Sequence, residues 1–496
     1  MAEILSHLTS ASSELRSVNN TRDERYDTQI RDLVAYIKNC DKNSDTQYLL
    51  DNLHPSLHTL SYLLILNLHI DNLQIRAKEN LPDEIKPGND LWTRVAYFLQ
   101  HFDPIQVRYA GHEWRRLVEL LAQAAEVTAK PFLAVQVMKE ALLRLNSPGI
   151  LTSLHVTFLR LSLLSKSYHY ALPVMERWIF QFPASSVQAY RKHISRPLCS
   201  EDTFGDTFIS DASGFSAKLT YRDHMRFFLY GAMIYLALKK WDKALHWLSV
   251  VISSPVNDSV SKIMVEGYKK WVLASLLAHG KVLISSPRVI SAHVLKVFQT
   301  LTKPYASLAD AFERGDLPRL RAEIDIGRSI WRADNNEGLV SQLFHAYNSF
   351  LVMKLGRTFS ALTTADVAQR TLAPLAFSAS IEEFVALLVM SGTLSATLLH
   401  LHGQADATML RFLARSESYL YGEISMRTRL VEEARVLGLI TKDANQCSSE
   451  LQLGNESLQI LSRNQRWPDA SRVSGDAVGE SDGGLDIDED IMGDGT

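Results

Sequence analysis

The chain has 496 residues, 46% of them hydrophobic and 22% charged, with a formal net charge of −3. That balance is ordinary for a globular chain of several units, and it excludes a collagen-like, coiled-coil or wholly disordered polymer. The charge is unevenly placed: nine acidic residues and only Arg472 lie between Pro468 and Thr496, so the remainder is mildly basic, too weakly to argue for nucleic acid.

The N-terminal Met-Ala-Glu-Ile-Leu has no basic stretch leading into an apolar core, so no signal peptide is expected. The longest charge-free apolar run, Phe384 to His402, is broken by Ser391, Gly392, Thr393, Ser395 and Thr397, so no membrane helix is expected. The three cysteines, Cys40, Cys199 and Cys447, are too far apart to form a CxxC pair and read as free thiols.

Helical periodicity dominates from the start. Leu57, Leu60, Leu63, Leu64 and Leu66 follow Pro55, a helix-start residue. Leu117, Leu120, Leu121 and Ala124 make a second stripe, and Val135, Val137, Met138, Leu142 and Leu145 a third. Pro87-Gly88 and Asn146-Ser-Pro-Gly149 punctuate them as turns. Two segments read as tetratricopeptide-like helix pairs. One runs Phe158–Leu164, turn at Ser165–Ser167, then Tyr168–Ile179. The other runs Phe227–Tyr235, turn at Lys239–Asp242, then Lys243–Val251 with a stop at Pro255. Gly231 and Ala244 are small enough to let paired helices approach. A pair cannot bury its apolar face alone, so pairs stack into a solenoid. Between them, residues 196–217 are rich in Ser, Asp, Gly and Thr. Phe204, Phe208 and Phe215 there show no period, which predicts an acidic surface loop.

Val340, Leu343, Phe344, Tyr347, Leu351 and Leu355 then define a strong amphipathic helix, with Gly356 expected at its C′ position. Thr363 or Thr364 caps a short helix to Arg370, and Ser380 with Glu383 forms a capping box for a helix from Ile381 to Met390. Its core stripe is expected to hold Phe384, Leu387, Leu388 and Val389. Leu394–Leu401 and Thr408–Phe412, joined by a turn at Gly403–Ala407, read as a hairpin, and helix, helix, hairpin is a winged helix. Leu430, Ala434, Leu437, Ile440, Ala444, Cys447, Leu451, Gly454, Leu458 and Leu461 then mark a long helix with one apolar seam, its last turns weakened by Gly454 and Asn455. The Gly- and Asp-rich tail cannot bury enough apolar surface to order itself.

The stretch Glu323-Ile-Asp-Ile-Gly-Arg-Ser-Ile-Trp331, with Asp334-Asn-Asn-Glu-Gly-Leu-Val340, Leu355-Gly-Arg-Thr-Phe-Ser-Ala-Leu362 and Ala365-Asp-Val-Ala368, resembles the PCI domain family. That module is shared by the proteasome lid, the COP9 signalosome and translation initiation factor three. Gly327–Trp331 with Gly338–Val340 is most similar to the subunit 3 branch of the signalosome. The resemblance covers about residues 220 to 465 well and the earlier half only as helical repeats. It implies a mainly α chain: a tetratricopeptide-like helical-repeat solenoid, a winged-helix (PCI) subdomain and a long C-terminal bundle helix. The expected divisions are helical repeats over 1–195, the loop 196–217, the repeat part of the PCI domain over 218–355, the winged helix over 356–415, C-terminal helices over 416–467 and a disordered acidic tail over 468–496.

The implied role is that of a non-catalytic scaffold. Winged helices of the family join edge to edge and C-terminal helices gather in a bundle. On this sequence that assigns Leu394, Ala396, Leu398, Thr408, Leu410 and Phe412 to the winged-helix edge, and Leu430, Ala434, Leu437, Ala444, Leu451, Leu458 and Leu461 to the bundle. The implied partners are other PCI and MPN subunits, indirectly cullin-RING ligases, and the implied setting is cytoplasm and nucleus, in support of the removal of NEDD8 from cullins. A subunit of the lid or of the initiation factor is the alternative of the same functional class; a nucleic-acid-binding PCI protein of mRNA export is the alternative of another class.

The chemistry such complexes contain is not written in this chain. The zinc isopeptidase of the signalosome and lid needs His-x-His followed at fixed spacing by Ser-x-x-Asp, to converge two imidazoles and a carboxylate on the metal. His400-Leu-His402 matches the first part, but Leu410 and Leu413 stand where the Ser and Asp are required. No phosphate-binding GxxxxGK[ST] or GxGxxG and no GxSxG elbow occurs. No catalytic residue, cofactor or metal ligand is expected. The groove-reading helix of the winged helix carries Glu382 and Glu383 with no Lys or Arg, and would repel phosphate, which disfavours nucleic acid.

Overall fold

The computed structural model describes most of residues 2–413. It leaves out 10–19, 39–45, 77–81, 146–148, 184–197, 199–207, 255–259, 283–289, 372–380, 401–407 and the single positions 178, 180, 211 and 291; past 413 it describes scattered positions from 426 to 448. Two compact units are distinguished, Met1–Leu413 and Ala414–Thr496.

In the first unit, antiparallel helix pairs follow one another. Gly111–Val127 pairs with Pro131–Leu145, Ser153–Leu164 with Tyr168–Met175, and Tyr221–Ala237 with Trp241–Ser253, before Lys262–His279 continues the series. Both predicted pairs are present, and Gly231 explains itself: a β-carbon there would stand 2.1 Å from the ring of Trp247. Ala244 is fully buried beside it in the series.

One turn recurs between these helices. At Ala129, Lys166 and Lys239 the backbone takes φ near +55°, and the amide three residues past the helix reaches back to a carbonyl of its last turn. The bonds are Lys130 N to Ala125 O (2.9 Å), Ser167 N to Ser162 O (3.0 Å) and Lys240 N to Tyr235 O (2.9 Å). The same closure recurs at Asn335 and, with glycine in the left-handed position, at Gly315 and Gly392. It is the Schellman arrangement, which satisfies the carbonyls a helix end leaves open.

Residues 208–217 do not form the surface loop that the sequence predicts. Phe208 is 2% exposed and Phe215 is fully buried. Their rings meet edge to face at 6.1 Å, and Phe215 reaches Trp114 at 5.7 Å. The segment plugs the starts of the first helices of the three pairs. Gly111 lies against Ser213 and Phe215, too close to admit a side chain; Ser153 N donates to Ser216 Oγ (3.0 Å), and Ala217 N donates to Ser153 Oγ (3.1 Å) just ahead of helix Tyr221–Ala237. Aperiodic aromatics signalled irregular backbone, and irregular backbone is buried here because serine side chains satisfy its polar groups. The acidic residues Glu201, Asp202, Asp206 and Asp211 lie outside the described residues.

The winged helix is built as β1 (Ala361–Thr363), helix Thr364–Thr371, helix Ile381–Met390, β2 (Ala396–His400) and β3 (Thr408–Phe412). The sheet order is β1-β3-β2, all antiparallel. β1 is absent from the sequence reading because three residues carry no alternation to detect. Its presence makes β3 the central strand, so Thr408, Leu410 and Phe412 do not lie on an open edge. Helix Glu337–Thr358 also outruns Gly356 and passes through the expected division at 355. Gly356 is therefore a helix-interior residue, and its lack of a side chain admits the Phe412 ring, which a β-carbon would meet at 2.7 Å. In helix Ile381–Met390, Val385 and Leu388 are the buried residues, whereas Leu387 is 65% exposed, against the predicted stripe. Thr363 Oγ1 accepts from Asp366 N (3.1 Å), the expected cap. Ser380 lies outside the described residues.

Ala129→Gly should stabilise the chain by about 1 kcal/mol, because a β-carbon in the left-handed region costs more than the extra freedom glycine has when unfolded. Denaturant unfolding followed by circular dichroism checks this, with a Lys166→Gly chain as the parallel case.

Candidate interaction surfaces

The stretch that carries the family resemblance folds around Tyr305. Its hydroxyl donates to Asp334 Oδ2 (2.8 Å) and accepts from Asn336 Nδ2 (2.8 Å), while Lys269 Nζ donates to Asp334 Oδ1 (2.7 Å). Burial raises the Tyr305 pKa well above the usual phenol range, so the hydroxyl stays a donor. Trp331 packs on Tyr305 with ring centroids at 4.7 Å and donates Nε1 to Ile324 O (3.1 Å). Gly327 lets that indole lie against the backbone, since a β-carbon would stand 2.5 Å from it. Gly327, Trp331, Asp334 and Asn336 therefore hold the turn that delivers helix Glu337–Thr358. This helix buries Val340, Leu343 and Tyr347 in the solenoid core and Val352 in the core of the winged helix. The phrase is a joint, and it aims the sheet.

The sheet presents β2 as a strand with no neighbour on its far side among the described residues. Leu413 N donates to Ser395 O (3.0 Å), and Phe412 N donates to Ser360 O (2.9 Å) towards β1. With the register Ala396↔Phe412, Leu398↔Leu410 and His400↔Thr408, alternation turns the N–H and C=O of Ala396, Leu398 and His400 away from β3, towards the open edge. The amides of Thr408, Leu410 and Phe412 point to β1 instead. The side chains assigned to this edge face inward: Leu394, Ala396, Thr408 and Leu410 are 6%, 4%, 4% and 0% exposed, and Leu398 and Phe412 pack against the same core. What the edge offers outward is backbone, with Thr397 and Leu399 on the solvent face.

In the second unit, the described positions from 426 to 448 are helical. Leu430 is 57% and Leu437 62% exposed, and Ala434 and Ala444 are exposed as well, so the predicted seam is open as far as it is described. Leu451, Leu458 and Leu461 lie outside the described residues, as does the acidic tail.

Among the described residues no cluster of three or more His, Cys, Asp or Glu is placed to hold a metal, and no helix is long and apolar enough to cross a membrane. His400 Nδ1 shares a hydrogen bond with Thr408 Oγ1 (3.0 Å) across the hairpin, a structural use of that side chain; His402 lies outside the described residues.

A family model for the N-terminal helical repeats of COP9 signalosome complex subunit 3 matches residues 27–196 and 202–294, more than half the chain. COP9 signalosome complex subunit 3 of Emericella nidulans is 48% identical over 500 residues, covering all of both chains. The chain belongs to the COP9 signalosome subunit 3 family. More distant members follow the same pattern. The Dictyostelium discoideum subunit is 28% identical over 356 residues, 70% of this chain and 74% of its own length. The Arabidopsis thaliana subunit is 26% identical over 376 residues, 76% of this chain and 75% of its own length. The match to the subunit 3 repeats reaches into the half of the chain that the sequence reading described only as helical.

Asp334→Ala should destabilise the chain by about 2–3 kcal/mol, since it strips both Tyr305 and the partly buried Lys269 of their acceptor. Asp334→Asn, which still accepts from Tyr305, should cost less. Urea unfolding of both variants against the wild type gives the comparison.

Proposed function

We propose that the chain is a non-catalytic scaffold subunit of the COP9 signalosome, supporting the complex that removes NEDD8 from the cullins of cullin-RING ubiquitin ligases. Membership of the subunit 3 family carries this reading. The open β2 edge adds support, because a strand edge with unpaired backbone groups is a template for another strand. In this account β2 pairs with the winged helix of a neighbouring PCI subunit, while Leu430, Ala434 and Leu437 join a bundle of helices from several PCI and MPN subunits. The chain works in cytoplasm and nucleus, and the zinc that cleaves the isopeptide bond is held by a different subunit. Leu410 and Leu413, where that chemistry needs a hydroxyl and a carboxylate, support the division of labour.

The register specifies the decisive substitution. Ala396→Pro and His400→Pro each remove an outward donor and leave the ladder to β3 intact; Thr397→Pro breaks a ladder bond and serves as the contrast. The first two should keep wild-type helix content by circular dichroism and lose most co-purification with neighbouring subunits. Folded variants that assemble as wild type does would refute the edge pairing.

Removing residues from Ile424 onward should leave a folded first unit that no longer enters the complete complex, read by size-exclusion chromatography of co-expressed subunits. The purified full chain should show no deneddylation of a NEDD8-modified cullin, and a chelator-sensitive activity free of other subunits would contradict the scaffold reading.

A further inference from the structure

Because the starts of the repeat helices gather at residues 213–217, their ends gather on the opposite edge. Two further contacts tie helix Lys262–His279 into the same alignment. Ser261 Oγ meets Met225 Sδ (3.6 Å) near the starts, and His279 Nε2 approaches Asp242 Oδ1 (3.8 Å) near the ends. The end edge therefore carries, in a row, the turns after Val127, Leu164 and Ala237 and the end of the helix at His279. Lys130, Lys166, Lys239, Lys240 and Lys281 stand on it, all exposed except the half-buried Lys240, and none has an ion-pair partner among the described residues. Of the acidic groups nearby, Glu126 binds Arg160, Glu176 binds Lys243 and Glu313 accepts from Val282 N, while Asp242 stands exposed beside His279. Between the lysines lie two exposed aliphatics, Val127 (69%) and Leu164 (60%).

A lysine near a helix C-terminus complements the helix dipole, and that would account for Lys130 and Lys240. It does not account for Lys166 and Lys239. They occupy the left-handed position itself, at φ 55° and 56°, as Ala129 and Asn335 do at 55° and 54°, whereas Gly315 and Gly392 stand there in the equivalent turns. A side chain there costs stability, and strain that persists points to a use. With neighbouring helices about 8–10 Å apart, the row spans roughly 30 Å, the length of about nine extended residues.

We propose that this edge docks an extended acidic peptide of a partner chain. The carboxylates of the peptide face the lysine row, and its spaced aliphatic side chains rest on Val127 and Leu164. The inference is independent of the β2 edge and of the C-terminal helix.

The test titrates the full chain into a fluorescein-labelled peptide of about 12 residues in which Glu and Asp alternate with Leu, read by fluorescence anisotropy. Binding should weaken as salt is raised, fall about tenfold in a Lys130→Glu, Lys166→Glu, Lys239→Glu chain, and fall several-fold when serine replaces leucine in the peptide. A Lys166→Gly, Lys239→Gly chain supplies a variant that folds at least as well: it should melt higher than wild type and bind the peptide more weakly. Absence of binding, equal binding by wild-type and charge-reversed chains, or a glycine pair that melts lower would each overturn the proposal. So would equal affinity for the serine peptide or for inorganic polyphosphate, which would make the edge a general polyanion surface.

Discussion

A helix end that doubles back through a left-handed residue fixes where the next helix must go. Six such closures recur among the described residues, at 129, 166, 239, 315, 335 and 392, each with an amide returning to the last helical turn. The returning bond caps carbonyls that would otherwise be left unsatisfied, and the left-handed residue reverses the chain within a few residues. Consecutive helices are thereby antiparallel and in contact, which is the condition for their apolar stripes to become one core. The common placement of helix starts around Ser213–Ala217 follows from this reversal, because each second element returns the chain to the same side.

The same economy shapes the winged helix. Three residues of β1 are enough to claim one side of β3, and that decides which strand is left open. The register then settles which amides of β2 face outward without reference to any side chain. Specificity at such an edge cannot come from the backbone alone, since every strand offers the same donors and acceptors. Thr397 and Leu399 on the solvent face, with Leu387 on the adjoining helix, are the exposed groups able to discriminate between neighbours.

Much of this architecture was legible in the sequence, for a physical reason: helices of ten or more residues with a buried stripe write a 3.6-residue period, and both predicted pairs, the Val340–Leu355 helix and the hairpin are of that kind or carry strong turn residues. The misses share a cause as well. β1 is too short to have a period. The plug at 208–217 is held by serine-to-backbone hydrogen bonds and ring contacts that no spacing rule describes. Leu387 reads as inward because all six residues at 384–389 are apolar, and only the packing of Val385 and Leu388 decides which face is buried. The edge residues were chosen by strand, and the choice of strand depended on an unseen third one. The sequence marks turns at Lys166 and Lys239 but none at Ala129, and the strain at all three is hidden because no glycine marks it.

Helix Glu337–Thr358 belongs to two cores at once, with Tyr347 in the solenoid and Val352 in the winged helix. A helix advances about 100° and 1.5 Å per residue. Adding or deleting one residue between Tyr347 and Val352 would therefore swing the whole sheet, and its open strand, through roughly a quarter turn relative to the repeats. The spacing of those two residues is in effect a dial setting. Length change cannot be absorbed there, so the four residues between them should be the segment of this chain least tolerant of insertion and deletion even though no chemistry takes place there.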